Sequence, residues 1–209
     1  MQLVLGSASP ARREVLRAAG IDPIVRVSDV DEDAVAAALP ADSAPEVVVV
    51  ELARAKAESV AAAADIPANC VLVGCDSMLL VDGVLQGKPH TPEVARARWA
   101  DMAGRSADLL TGHCVLRIED GAITAVAVDC SATTVHFAKP EPAELDAYIA
   151  TGEPLQVAGA FTLDGMGGWF VDRIEGDPSS VIGIGLPLLR RLLGDIGVSV
   201  AQLWSHPAR

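Results

Sequence analysis

Gln2-Leu3-Val4-Leu5-Gly6-Ser7-Ala8-Ser9-Pro10-Ala11-Arg12-Arg13 reads as a strand, a polar turn and the start of a helix. Gln2 to Leu5 forms a short buried strand, and Ala11 to Ala19 places Val15, Leu16 and Ala19 at helical spacing. Ser9 suits the N-cap, Pro10 the first helical position and Gly20 the stop, so a helix N-terminus follows directly on a strand's carboxyl end. Ser7, Ser9, Arg12 and Arg13 then gather two hydroxyls and two guanidinium forks around the unpaired amides of a first helical turn, a combination that favours phosphate. Taken alone, this stretch fits an ordinary capped surface helix somewhat better.

Outward from this unit the pattern is mixed α/β. Ile24 to Val27 reads as a strand, Pro45 to Ala63 as a helix, and Asn69 to Gly74 as a buried strand ending at Cys75-Asp76-Ser77. Met78 to Gln86 forms a hairpin around Val81-Asp82-Gly83, and Thr91 caps a helix reaching Ala103. Ala107 to Ile118 and Ile123 to Phe137 are β runs joined by an Asp120-Gly121 hairpin. Pro142 to Ala150 is helical, Gly159 to Gly168 irregular, Trp169 to Ile174 a strand and Pro187 to Leu193 part of a last helix. With no repeat, low-complexity tract or composition break, residues 1–209 are expected to form a single domain: a mixed twisted sheet with flanking helices.

The 209 residues are 51% hydrophobic and carry a formal net charge of −12. Charges interrupt every long apolar stretch before the roughly 18 residues a membrane span needs, and the N-terminus lacks a basic region and cleavage site of the secretory kind. A soluble, cytoplasmic protein is expected, with no membrane partner. The acidic balance also argues against nucleic acid, which draws on clustered cations. A small anion would need local cations, helix N-termini or a bound metal. Lysine is confined to Lys56, Lys88 and Lys139. Cys70, Cys75, Cys114 and Cys130 show no zinc spacing and read as small hydrophobes.

Glu32 and Asp76 are the carboxylates best placed for a hard cation, each beside a strand end among polar neighbours; magnesium commonly takes one or two protein carboxylates plus phosphate oxygens and water. Taken singly, Asp76 also fits a turn or cap, and Glu32 a solvated acidic face. Lys56 and Lys88 are candidates for contacting phosphates. Gly83 to Pro89 is not a Walker A loop, having three residues between its glycines and no Ser or Thr after Lys88.

Read in order, Ser-x-Ser-Pro-x-Arg after the first strand, Asp29-Val30-Asp31-Glu32, Leu52-Ala53-x-x-Lys56-Ala57, Gly74-x-Asp76-Ser77, Gly87-Lys88-Pro89, Thr111-Gly112, Glu153-Pro154, Ala158-Gly159-Ala160 and Gly185-Leu186-Pro187-Leu188 resemble the Maf family over almost the whole chain. The resemblance implies an elongated, two-lobed α/β fold with a central cleft, related to the inosine triphosphate pyrophosphatases. It also implies a nucleoside triphosphate pyrophosphatase that cuts (d)NTPs, modified or noncanonical ones included, to monophosphate and pyrophosphate with Mg²⁺ or Mn²⁺.

By the same resemblance Asp76 matches the family's proton acceptor, Glu32 an acidic residue associated with the metal, and Lys56 and Lys88 the phosphate-contacting lysines. Ser7, Ser9, Arg12 and Arg13 fall in the first substrate loop. Ser77 and Asp164 fall at positions associated with the base, where threonine and Gln are common, and Ala11 replaces the first arginine of the usual motif. These departures, with Val157 for a common lysine, prevent the dTTP/UTP preference from being carried over. The 7-methyl-GTP type, with a bulky aromatic at Ala11 and glutamine at Ser77, fits no better.

A second reading is a nucleotide-binding regulator of cell division with little turnover, since Maf relatives are also associated with septum formation. It would need phosphate donors but not a carboxylate pair. A Rossmann enzyme lacks GxGxxG after the first strand. His90, His113, His136 and His206 have no metal-binding spacing and read as structural or surface residues. Trp99, Trp169 and Trp204 read as core or interface. The sequence is compatible with a monomer or a homodimer.

Overall fold

A computed structural model describes residues 1–63 and 65–205; His206 lies outside them. Seven strands form a mixed sheet in the order β2-β1-β3-β5-β6-β7, with β4 also paired to β3. They are β1 (Gln2–Gly6), β2 (Ile24–Arg26), β3 (Cys70–Val81), β4 (Val84–Gln86), β5 (Ser106–Glu119), β6 (Ala122–Phe137) and β7 (Val171–Glu175). The helices are α1 (Pro10–Ala18), α2 (Glu32–Ala38), α3 (Pro45–Ala61), α4 (Pro92–Met102), α5 (Pro142–Ala150), α6 (Pro178–Ile182) and α7 (Leu186–Asp195). Among the described residues no helix is long and apolar enough to cross a membrane.

The chain divides into two compact units. In the first, made of Met1–Asp76, Thr111–Ser131 and the chain from Gly183 on, β1 runs parallel to both β2 and β3, with Gly6 beside Gly74. The period of two sorts the side chains. Leu3, Leu5, Val71, Val73 and Cys75 pack with Leu16 of α1 and Leu188, Leu189, Leu192 and Leu193 of α7. Val4, Cys70, Leu72, Cys114 and Leu116 pack with Ala53, Ala57 and Val60 of α3. By parity, Asp76 shares the α3 side of β3 with Cys70, Leu72 and Gly74.

Glycines let α3 approach the sheet backbone to backbone. A Cβ at Gly74 would lie 2.4 Å from the Ala53 carbonyl oxygen and 2.9 Å from the Ala57 nitrogen, and one at Gly112 would lie 2.2 Å from the Val49 oxygen. Gly74→Ala is therefore expected to destabilise the protein by about 1–3 kcal/mol through overpacking. Urea denaturation checks it, and an unshifted midpoint would contradict so close a helix.

In the second unit, Ser77–Leu110 and Ala132–Ile182, the core centres on Trp99. Its ring meets Phe137, Tyr148 and Phe170 edge-on, and its indole N–H donates to the Ala160 carbonyl at 2.8 Å. Trp169 is 85% exposed and Trp204 50% exposed, so neither joins a core. Cys70, Cys75 and Cys114 are buried as expected, and burial pushes the Cys75 thiol up to about 11 and that of Cys114 to about 12.

Three local expectations are corrected. β3 does not end at Cys75; it continues through Asp76 and Ser77 to Val81, paired on one side by β1 as far as Gly74 and by β4 from Leu79, with β5 as its other neighbour in the sheet. The acidic run contains a helix, α2, capped by the Asp31 carboxylate on the Ala34 amide at 3.0 Å. The last strand begins at Val171, with Trp169 in the preceding 3-10 turn.

Candidate active site

β1 delivers Ser7 beyond its paired end, and Ser7 is buried. Its hydroxyl accepts from the Ser9 amide at 3.2 Å and from Arg12 Nη1 at 3.1 Å, while Ser9 Oγ caps α1 on the Arg12 amide at 3.3 Å. Arg12 ties three segments together. Its Nε donates to the Gly183 carbonyl at 2.7 Å, and Nη1 donates also to the Cys75 carbonyl at 2.8 Å. The guanidinium read from the sequence as a phosphate fork is thus, in part, a brace joining the first turn to β3 and to the approach to α7. Arg13 turns to Glu14 on the helix surface, at 3.3 Å, away from these partners.

Two residues beyond Gly74, the Asp76 carboxylate meets α3. Lys56 Nζ lies 2.5 Å from Asp76 Oδ1 and 2.8 Å from Glu32 Oε1. The Lys56 and Asp76 side chains are 11% and 7% exposed, and that of Glu32 is 48% exposed. Lys56 belongs to the buried stripe Leu52, Ala53, Lys56, Ala57, Val60, so its charge is stable there only because carboxylates meet it. Asp76 Oδ2 is buried with no hydrogen-bond partner, an arrangement costly enough to ask for an additional donor or cation. Because Gly6 pairs with Gly74, Ser7 and Asp76 both lie just past the end of the parallel pairing between β1 and β3, Ser7 beyond the carboxyl end of β1 and Asp76 where β3 runs on past it; open α/β sheets bind ligands at such strand ends.

Two carboxylates with one oxygen unsatisfied fit a hard cation that takes its remaining ligands from water and substrate. Among the described residues no group of three or more His, Cys, Asp and Glu side chains forms a preformed metal centre.

The remaining sequence candidates fall in the second unit. Ser77 follows Asp76 on β3 and is half-buried. Lys88 is exposed on a segment held by its neighbours: the Gly87 carbonyl accepts from Arg98 Nη1 and from the Gly159 amide, and the His90 amide donates to the Leu155 carbonyl. Asp164 is exposed in a loop organised by Glu153, whose carboxylate accepts from Thr162 Oγ1, the Gly167 amide at 3.1 Å and the Met166 amide at 3.2 Å. Partial burial opposes the Glu153 charge, but these donors outweigh it and hold its carboxyl below the ordinary value. The stability it lends is complete above the ordinary glutamate value and is lost as pH falls through the lowered one. Glu153→Gln is expected to lower the melting temperature near neutrality and to flatten its acid dependence. Parallel Tm-against-pH curves for variant and parent would disprove the role.

The sequence did not single out the Cys75 and Gly183 carbonyls or His113. Backbone acceptors carry no residue signature, and His113 showed no motif.

A capped helix N-terminus after a parallel strand, an arginine brace and a lysine held between carboxylates define an α/β protein with a mixed-charge polar site beside its parallel strands. The family model described as "Maf-like protein" matches residues 2–196, and the chain belongs to that family. It is 83% identical to a nucleoside triphosphate pyrophosphatase of Nocardia farcinica (strain IFM 10152), over 99% of this chain and 98% of the relative. Relatives of the same name share 70% identity in Rhodococcus opacus (strain B4), over 99% and 97%, and 57% in Mycolicibacterium gilvum (strain PYR-GCK), over 98% and 99%.

Proposed function

We propose that this protein is a nucleoside triphosphate pyrophosphatase that hydrolyses (d)NTPs to monophosphate and pyrophosphate with a divalent cation, Mg²⁺ or Mn²⁺. The observation that carries the reading is Asp76, buried on β3 just past its pairing with β1, with one oxygen on Lys56 and the other unpaired. The name shared by relatives that cover the whole chain supports it.

Asp76 and Glu32 are the residues that would hold the cation, which when bound neutralises phosphate charge and acidifies water. Asp76 orients the attacking water and takes its proton as the oxygen adds to phosphorus at the α–β anhydride. The bond to the bridging oxygen breaks, and the electron pair leaves with pyrophosphate. Lys56 positions the Asp76 carboxylate through their ion pair, and Lys88 stabilises negative charge on the phosphates. Ser7, Ser9 and Arg12 form the first phosphate-binding turn. Ser77 and Asp164 are assigned to base selection by the family pattern, and because both depart from its common residues the base preference is the quantity to measure. A regulator that only binds nucleotide has no need for a buried carboxylate with a vacant acceptor, which favours turnover over that reading.

Turnover of canonical and modified triphosphates, with pyrophosphate and orthophosphate measured separately, tests the proposal. Monophosphate plus pyrophosphate, abolished by EDTA and restored by Mg²⁺ or Mn²⁺, is expected. Diphosphate plus orthophosphate as main products, or undiminished rates in excess EDTA, would overturn it.

A further inference from the structure

His113 is fully buried on β5, and nothing in the proposed chemistry uses it. Its Nδ1 lies 3.0 Å from the Thr111 carbonyl oxygen, and its Nε2 accepts from the Gly185 amide at 2.9 Å. An amide only donates, so Nε2 is bare and the ring proton sits on Nδ1, where it donates to Thr111. The two contacts define a neutral ring in one tautomer. Its base is also fixed, because the adjoining Gly112 lies against the α3 backbone at Val49.

Gly185 is the N-cap residue of α7. Two residues earlier, the Gly183 carbonyl receives Arg12 Nε at 2.7 Å. Gly183 has φ of 125°, which side-chain-bearing residues rarely adopt, and Ile184 between the two glycines is fully buried. The segment is therefore short, anchored in the core and held at both ends: by His113 on one side and by the Arg12 guanidinium on the other. That guanidinium also sets Ser7 Oγ and the carbonyl next to Asp76.

We infer that His113 is a positioning residue for Arg12, acting through the Gly183–Gly185 segment. Its bare Nε2 fixes the Gly185 amide, the segment places the Gly183 carbonyl, and the carbonyl orients the guanidinium. The effect on turnover rests on the reading above, in which Arg12 belongs to the phosphate-binding turn; the effect on Arg12 itself does not.

Nitrogen NMR of the intact protein labelled in histidine and arginine reads both links. For the parent, a proton-bearing Nδ1 and a bare Nε2 at His113 are expected, with an exchange-protected Arg12 Nε–H. His113→Phe fills the same space without an acceptor and should expose the Arg12 Nε–H to exchange. It should also lower kcat/KM for nucleoside triphosphates about tenfold or more, the range for losing a contact to a charged group, mainly through KM. His113→Gln, whose amide oxygen can replace Nε2, should recover part of both effects. In an Arg12→Ala background, His113→Phe should cost little more. A proton on Nε2 in the parent, or a folded His113→Phe with Arg12 Nε–H protection unchanged, would overturn the inference. The tautomer decides even if the Phe variant fails to fold. A parent that turns over no triphosphate would instead defeat the proposed function, while the NMR outcomes still judge His113.

Discussion

Asp76→Asn is expected to give a folded protein whose kcat has fallen by about 10²–10⁴-fold, the usual size of a general-base contribution. The substitution keeps the side chain's size, and the amide oxygen can still accept from Lys56. It removes the charge and the basic oxygen, and sets an NH2 where the buried Oδ2 now lies without a partner. Taken singly in the sequence, Asp76 also fits a turn or capping aspartate, and asparagine serves well in both settings. The structure separates the two. Asp76 lies inside a 12-residue strand, and its hydrogen-bond partner is the Lys56 side chain, not a backbone amide. The measurement is kcat at saturating nucleotide and metal, with thermal melting as the folding control. A folded variant that keeps more than about half the parent kcat would remove Asp76 from the chemistry, given the expected size of the effect.

What the sequence disclosed is what local chemistry determines. The first strand, turn and helix were legible because Ser9, Pro10 and Gly20 act within a few residues of themselves: Ser9 caps the Arg12 amide, and Gly20 turns the chain at φ of 85°. Both Asp-Gly hairpins were legible for the same reason, since Asp82-Gly83 and Asp120-Gly121 take the paired positive φ values that such turns require. α2 was missed because seven residues give little periodicity and its acidic first turn resembles a solvated face. The continuation of β3 was missed because a carboxylate looks like a strand end until its tertiary partner is known. Lys56 and Asp76 stand 20 residues apart, and Arg12 and Gly183 stand 171 apart. The family resemblance brought the first pair under suspicion, but only packing shows that one ammonium serves two carboxylates.

Lys56→Met is expected to cost both stability and turnover, and the two losses should respond differently to a second change. Methionine preserves the apolar stem that runs along α3 but leaves Asp76 buried with neither of its oxygens paired. Breaking a buried pair by removing one partner typically costs about 3–5 kcal/mol, most of it the desolvation of the charge left behind. Glu32, half-exposed, can relax into water and should contribute little to that loss. If desolvation is the cause, adding Asp76→Leu to Lys56→Met should recover much of the stability, because replacing both partners by apolar groups is often neutral or better. Activity should not return, since the proposed base is gone. Urea denaturation of the parent, Lys56→Met, Asp76→Leu and the double variant provides the cycle, with a large favourable coupling between the two positions as the expected result. Additive losses would mean that the pair contributes packing and no paired charge. Recovery of stability together with turnover would contradict the assignment of Asp76 as the group that takes the proton.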